Sequence, residues 1–259
     1  MSKQRMGSEY IPLVGEDMTK VRLVLPFSKV ALCTVSLPFT AFLFCIVWSI
    51  IYNFEHSNST HCKVYNFLPS VSAAIGHYKP QKDVWKFAIA VQAIMRSSIL
   101  LFNFRYYREH VYQWAQFISR IVLLTYALEN ISLVTLSFWT SNESYAFHKL
   151  SFITFLLTSF IHMFILYYLL SNCRNSTKDI SEIKSLKWKW RLMMCNVGAI
   201  LAAVYFFYRH NKYCEPFVYS LFALSEYIVV LSNMGFHLTI IWDYPLSRIL
   251  ISSNGCRII

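Results

Sequence analysis

The residues of this chain best suited to chemistry lie where charge is least expected. An apolar run from Phe217 to Asp243, FVYSLFALSEYIVVLSNMGFHLTIIWD, carries Glu226, Asn233, His237 and Asp243. A charged side chain at the centre of a bilayer costs about 2.5–3.5 kcal/mol on insertion scales, so such groups face a protein interior, a partner or a water-filled cavity. Steps of four, three and four residues through Val230 put Glu226, Asn233 and His237 on one stripe of a helix. Three further apolar runs carry Arg96, Glu129 with Asn130 beside it, and His162. At ~1.5 Å per residue, Arg96, Glu129, His162 and Glu226 each fall roughly 14–18 Å from the same face, one layer near mid-membrane. Asn233 lies deeper, and His237 and Asp243 approach the opposite face.

Such a layer has usable parts. Histidine serves as a general base near neutral pH, and a carboxylate within reach fixes its tautomer and steadies the imidazolium. A buried arginine can hold a phosphodiester or polarise a carbonyl. The same residues also admit a plainer reading, in which Arg96 pairs with one glutamate and His162 with the other as interhelical glue. The chain has no G-x-S-x-G elbow, no H-E-x-x-H and no glycine-rich phosphate loop. No close ligand pair such as H-x-x-x-H occurs, so no metal is expected.

The elements that must position these groups follow from composition. The 259 residues are 56% hydrophobic and 14% charged, which indicates a membrane protein. Six apolar runs reach the length of about 20 residues needed to span: Phe27–Tyr52, Val84–Phe104, Trp114–Trp139, Leu150–Leu170, Leu192–Tyr208 and Phe217–Trp242. The expected fold is therefore all-α, a polytopic bundle of six transmembrane helices. A leader (1–26) precedes the membrane domain (27–242) and a tail (243–259) follows it.

The formal charge of +11 resides mostly in short segments between the apolar runs, a topology signal rather than a nucleic-acid footprint. With the N-terminus cytosolic, fourteen Lys and Arg fall on the cytosolic side and six on the other, so the positive-inside rule puts both termini in the cytosol. The sequons at Asn58 and Asn142 then face the lumen as candidate glycosylation sites. So do Cys62 and Cys214, which an oxidising compartment could join or leave as free thiols.

Several stretches carry a resemblance. They are Thr60-His61-Cys62, Asn66 to Gly76, Leu128-Glu129-Asn130, Tyr208 to Glu215, and Glu226 to His237. On these the chain, from about Val21 to Asp243, resembles the FRAG/DRAM/SFK group of six-span membrane proteins, and within it the members that remodel the lipid of GPI anchors. The resemblance implies a Golgi membrane protein, with the endoplasmic reticulum a second location, that restores a saturated, typically stearoyl, chain at the sn-2 position of lyso-GPI.

On that footing His162 is expected as general base, Glu129 or Glu226 as its orienting carboxylate, and Arg96 as the group steadying phosphate or oxyanion. Asn130, Asn233, His237 and Asp243 are expected to contact substrate. No bound cofactor is implied, only an acyl donor, acyl-CoA or phospholipid, as co-substrate. The partners implied are lyso-GPI-anchored proteins, membrane lipids and the phospholipase of the preceding step, with no nucleic acid. A non-enzymatic adaptor that presents lipid to a separate acyltransferase is the alternative.

Overall fold

The structure, a computed structural model, describes residues 21–76, 78–141, 143–174, 179–244, 248–252 and 255–258, with side chains described between 26 and 244. In hydrocarbon no water satisfies backbone N–H and C=O groups, so runs this apolar close their hydrogen bonds locally as helices. Six described helices are long and apolar enough to cross a membrane.

The chain enters on strand β1 (Val21–Pro26) and passes into the first spanning helix, α1 (Phe27–Tyr52). Two short helices follow, α2 (Phe54–Asn58) and α3 (Val71–Gly76). The next two long helices are α4 (Gln81–His110) and α5 (Gln116–Phe138), the latter preceded by a 3-10 turn at Gln113–Ala115. Then come α6 (Tyr145–Asn172) and α7 (Ile180–Tyr213). The chain closes with α8 (Val218–Leu238), the single turn α9 (Ile240–Asp243) and strands β2 (Arg248–Ser252) and β3 (Gly255–Ile258). The bundle is the expected all-α six-helix architecture. A small antiparallel sheet in the order β1-β2-β3 is added to it, and pairs the leader with the tail.

One span is longer than the apolar run predicts. The run starts at Leu192, yet α7 begins at Ile180, because Asp179 and Glu182 form a reciprocal capping box that starts the helix twelve residues earlier. Charged residues such as Lys184 and Lys187 sit on that extension, where hydropathy cannot reveal a helix.

The segment between α1 and α4 folds back onto the bundle. Ser49 Oγ donates to the Ala74 carbonyl (3.1 Å), and Gln81 Nε2 donates to Ser49 Oγ (3.2 Å) and Asn53 Oδ1 (3.0 Å). Ser220 Oγ accepts from the backbone N–H groups of Phe67 and Leu68, and Tyr227 O–H donates to the Pro69 carbonyl at 2.6 Å. Cys62 and Cys214 are joined by a disulfide, which fastens this segment to the turn between α7 and α8. Cys214 and Phe217 in that turn have positive φ, 50° and 66°, a conformation that costs a non-glycine residue roughly 1–2 kcal/mol. The disulfide and the hydrogen bond from Phe217 N–H to the Tyr65 carbonyl (3.0 Å) hold it in place.

Candidate functional site

Four helices build a buried polar cluster in the middle of the bundle. Glu129 of α5 is wholly buried. Its Oε1 accepts from Arg96 Nη2 of α4 at 3.2 Å, and from His237 Nε2 at 2.9 Å and Asn233 Nδ2 at 3.2 Å, both of α8. Asn233 Nδ2 also donates to Ser159 Oγ of α6 at 2.6 Å. Arg96 Nη2 comes within 3.2 Å of His237 Nε2. A guanidinium has no lone pair to offer, so this approach is not a hydrogen bond when His237 Nε2 carries the proton that it gives to Glu129. The carboxylate thus fixes the tautomer and leaves the lone pair on Nδ1. The guanidinium lies 4.6 Å from the centre of the Tyr126 ring, a cation–π contact.

His162 of α6 stands next to this cluster rather than in it. Its ring stacks 5.6 Å from that of His237, but its Nδ1 donates to the Val122 carbonyl at 3.2 Å, with Thr125 Oγ1 at 3.3 Å. A backbone carbonyl, not a carboxylate, orients it. The expectation that Glu129 or Glu226 serves His162 is therefore corrected: Glu129 serves His237.

Glu226 is corrected too. Its Oε2 accepts the backbone N–H of Val71 at 2.9 Å, at the start of α3. It lies seven residues from Asn233 on α8, roughly 10 Å along the axis. The depth count put it level with Arg96, but the segment carrying α3 descends into the bundle to meet it, so it is spent on anchoring. His237 moves the opposite way: placed near the far face by its position in the run, it joins the central cluster because Glu129 reaches it from α5.

The remaining expected contacts are spread out. Asn130 Nδ2 donates to the Ala93 carbonyl at 3.2 Å and ties α5 to α4. Asp243 forms a buried ion pair with Lys189 Nζ at 2.6 Å, while Ser185 Oγ donates to Asp243 Oδ1 and Lys189 Nζ donates to Ser185 Oγ, each at 2.6 Å. Asn58 is buried and its Nδ2 donates to the Phe54 carbonyl at 2.9 Å. In the folded chain the nitrogen of this sequon is thus turned inward and engaged within its own short helix. Asn142 lies outside the described residues. His61 Nε2 is 3.3 Å from Cys62 Sγ, and the disulfide commits both sulfurs, so this cluster presents no thiolate to a metal.

A small cavity of ≈ 40 Å³, room for a water or two, adjoins the cluster. Its polar lining includes Gln92, Arg96, Asn103, His162, Asn233 and His237. The Gln92 Oε1, Arg96 Nε and Glu129 Oε2 atoms are buried without a protein partner, an unusual concentration of unmet polar atoms. Sequence reading missed Gln92, Tyr126 and Lys189. Gln92 stands four residues before Arg96, one helical turn away, and that spacing was the available signal for it.

Among known proteins, residues 26–246 match the family described as Frag1/DRAM/Sfk1/Cwh43P N-terminal domain. The chain is 43% identical over 240 residues to post-GPI attachment to proteins factor 2 of Drosophila pseudoobscura pseudoobscura, covering 92% of this chain and 94% of that protein. Its identity to the Drosophila melanogaster protein of the same name is 42% over 240 residues, with the same coverage of both chains. It is 40% identical over 248 residues to acyltransferase PGAP2 of Xenopus tropicalis, covering 95% and 98%. No solved structure matches it. With a family match across nearly all of its membrane domain and relatives this similar along their whole length, the chain belongs to the Frag1/DRAM/Sfk1 family.

Proposed function

We propose that this protein acts in GPI-anchor lipid remodelling as an O-acyltransferase that returns a saturated chain, stearoyl in the first instance, to the free sn-2 hydroxyl of lyso-GPI. The observation that supports it most is the Glu129–His237 pair beside Arg96, with His237 and Arg96 in the wall of a small cavity. In this reading the hydroxyl proton passes to His237 Nδ1 as the oxygen attacks the donor's acyl carbonyl. Glu129 steadies the imidazolium, Arg96 stabilises the oxyanion, and the imidazolium then gives its proton to the departing group. His162 lines the same space and helps orient the acceptor. The names of the relatives support the pathway, and one of them the reaction class. The proposed location is the Golgi membrane, with both termini cytosolic and the disulfide in the lumen. The acyl donor is acyl-CoA or a phospholipid, and lyso-GPI-anchored proteins are the proposed partners.

The test is His237→Ala and Glu129→Gln in cells lacking the endogenous protein, with anchor lipids analysed by mass spectrometry. Loss of a positioned base costs about 10²–10⁴-fold in rate, so both variants are expected to leave lyso-anchors or anchors without stearate. Normal stearate with well-expressed variants would exclude a base role for His237 and an orienting role for Glu129. One observation favours the adaptor reading instead: Glu129 is sealed from solvent and bonded to three donors, as interhelical glue would be. Purified protein supplied with lyso-GPI and stearoyl-CoA separates the two readings, since an adaptor forms no product.

A further inference from the structure

Most of the polar groups around the small cavity are already bonded within the protein. Asn233 Nδ2 donates to Glu129 and to Ser159, and Asn103 Oδ1 accepts from the Tyr244 hydroxyl at 3.2 Å. Lys189 and Asp243 bond to each other and to Ser185. His237 Nε2 is engaged by Glu129, and His162 Nδ1 by the Val122 carbonyl. Among the described residues in the wall, two buried side-chain atoms are left without a protein partner, Gln92 Oε1 and Arg96 Nε. One is an acceptor and the other a donor.

The two atoms are complementary, and their residues stand one turn apart on α4, Gln92 7% and Arg96 2% exposed. A water needs about 10–15 Å³ of such space and two to four polar partners. The ≈ 40 Å³ here holds one that accepts from Arg96 Nε–H and donates to Gln92 Oε1. An apolar occupant would leave both atoms unmet and their desolvation uncompensated. The bond matters for the guanidinium, whose Nη2 donates to Glu129 Oε1 at 3.2 Å and whose centre lies 4.6 Å from that of the Tyr126 ring. Those contacts fix one edge and one face of a planar group with five donors. A water on Nε fixes a second edge, and with it the direction in which the remaining donors point.

We propose that this cavity is a bound-water site and that Gln92, acting through the water on Arg96 Nε, is a positioning residue for the guanidinium. The water site stands on the cavity and its two unmet atoms. The positioning role rests on the acyl-transfer reading and deepens it, by naming what aims Arg96 at the oxyanion. Gln92 itself touches no substrate.

Two measurements test this. In the first, the full-length protein in lipid nanodiscs is exposed to X-ray pulses, which make hydroxyl radicals from bound water, and the modified residues are mapped by mass spectrometry. Phe236 and Tyr107, which line the cavity, should be labelled, while Phe42 and Met193, as deeply buried but outside its wall, should not. Ala31→Val adds two methyl groups to the wall and should abolish that label; Val35→Phe serves if Ala31→Val does not fold. Absence of label at Phe236 and Tyr107 in the unaltered protein, or label that persists in the filled variants, overturns the water site.

In the second, transfer from stearoyl-CoA to lyso-GPI is measured for Gln92→Met, Gln92→Glu and Arg96→Lys, and for Gln92→Met combined with Arg96→Lys. Misplacing a catalytic group by about 1 Å can cost about 10²-fold, so Gln92→Met should lower kcat by about 10- to 100-fold with KM unchanged. Gln92→Glu keeps an acceptor and should recover most of that loss. Lysine has a methylene where arginine has Nε–H, so in Arg96→Lys the Gln92→Met change should cost nothing further. Additive losses, or an unchanged kcat in Gln92→Met, overturn the positioning role. Label in the cavity of a protein that forms no product upholds the water site and removes the enzymatic reading. Product formed by a protein without that label overturns the water site and leaves His237-dependent transfer intact.

Discussion

Glu129 shows how a single residue can be costly and indispensable together. Its carboxylate is 0% exposed and is held by one permanent cation, one amide and one imidazole. Burying an ion pair is not by itself stabilising, but removing one partner leaves the other charge uncompensated, at about 3–5 kcal/mol. Arg96→Met and Glu129→Leu should therefore each lower thermal stability by that order, while the double substitution recovers most of it. Detergent-solubilised melting curves check this. Anchor-lipid analysis of the same double variant is the second readout: restored stability with absent remodelling assigns the pair to chemistry, and restored remodelling assigns it to glue. Glu226, chemically the same residue type, carries no such weight in the cluster, because the only hydrogen bond described for it is the one it accepts from the Val71 backbone.

At the scale of the elements, close approach of α7 and α8 is what keeps Asn233 and His237 aimed inward. Asn196 Nδ2 of α7 donates to the Val229 carbonyl and to Ser232 Oγ of α8, each at 2.9 Å. Gly235 faces Leu192 so closely that a Cβ would come within 3.3 Å of Leu192 Cδ2, whereas nothing lies within 4 Å of a Cβ at Gly198. Gly235→Val is thus expected to cost about 1–3 kcal/mol by overpacking. Gly198→Ala, by contrast, should be neutral or gain about 0.5–1 kcal/mol from helix propensity. Thermal melts of the two variants test the contrast.

A second junction is set by charge. Lys82 Nζ at the start of α4 donates to Glu143 Oε1 at 2.8 Å, Thr140 N–H donates to Glu143 Oε2 at 3.0 Å, and together they depress the Glu143 carboxyl to about 2. An acid whose folded value is lowered contributes stability above its ordinary value and loses it as pH falls through the lowered one. Cross-linking between Lys82→Cys and Glu143→Cys would destroy the contact it reports, so pH-dependent hydrogen exchange of the 139–144 turn is the better measurement. Protection should hold from pH 7 to about 5, decline below about 4.5 and vanish near 2, and Lys82→Met should move that decline toward higher pH.

For the whole molecule, the disulfide and the small sheet close the chain at two places. Cys62 and Cys214 are 152 residues apart in sequence, so their bond fastens the segment after α1 to the turn before α8. Breaking a native disulfide costs about 2–5 kcal/mol. Because one bond is at stake, Cys62→Ser, Cys214→Ser and the double variant should melt at the same lowered temperature, and non-reducing electrophoresis should show the same retarded band for all three. Additive losses would mean that the two sulfurs act separately. At the other end, β1 pairs with β2 in antiparallel register from Val21↔Ser252 to Pro26↔Arg248, so leader and tail emerge on one side of the bundle.

The sequence by itself determined the number of spanning helices, since a bilayer demands length and apolarity that can be counted residue by residue. It also determined which polar residues would be exceptional, because each of Arg96, Glu129, His162, Glu226 and His237 interrupts an apolar run. It singled out Cys62 and Cys214 among seven cysteines, since topology left only those two on one face. What periodicity could not supply was rotation and tilt between helices, and with them the partners. A stripe on α8 held Glu226 and His237 alike. Only packing sent the first to the Val71 amide and the second to Glu129. The segment that folds back to meet α8 and the small cavity lined by α1, α4 and α8 likewise depend on contacts between residues far apart in sequence. Those contacts are decided by which surfaces can be buried together, a property of the assembled bundle and of no single run.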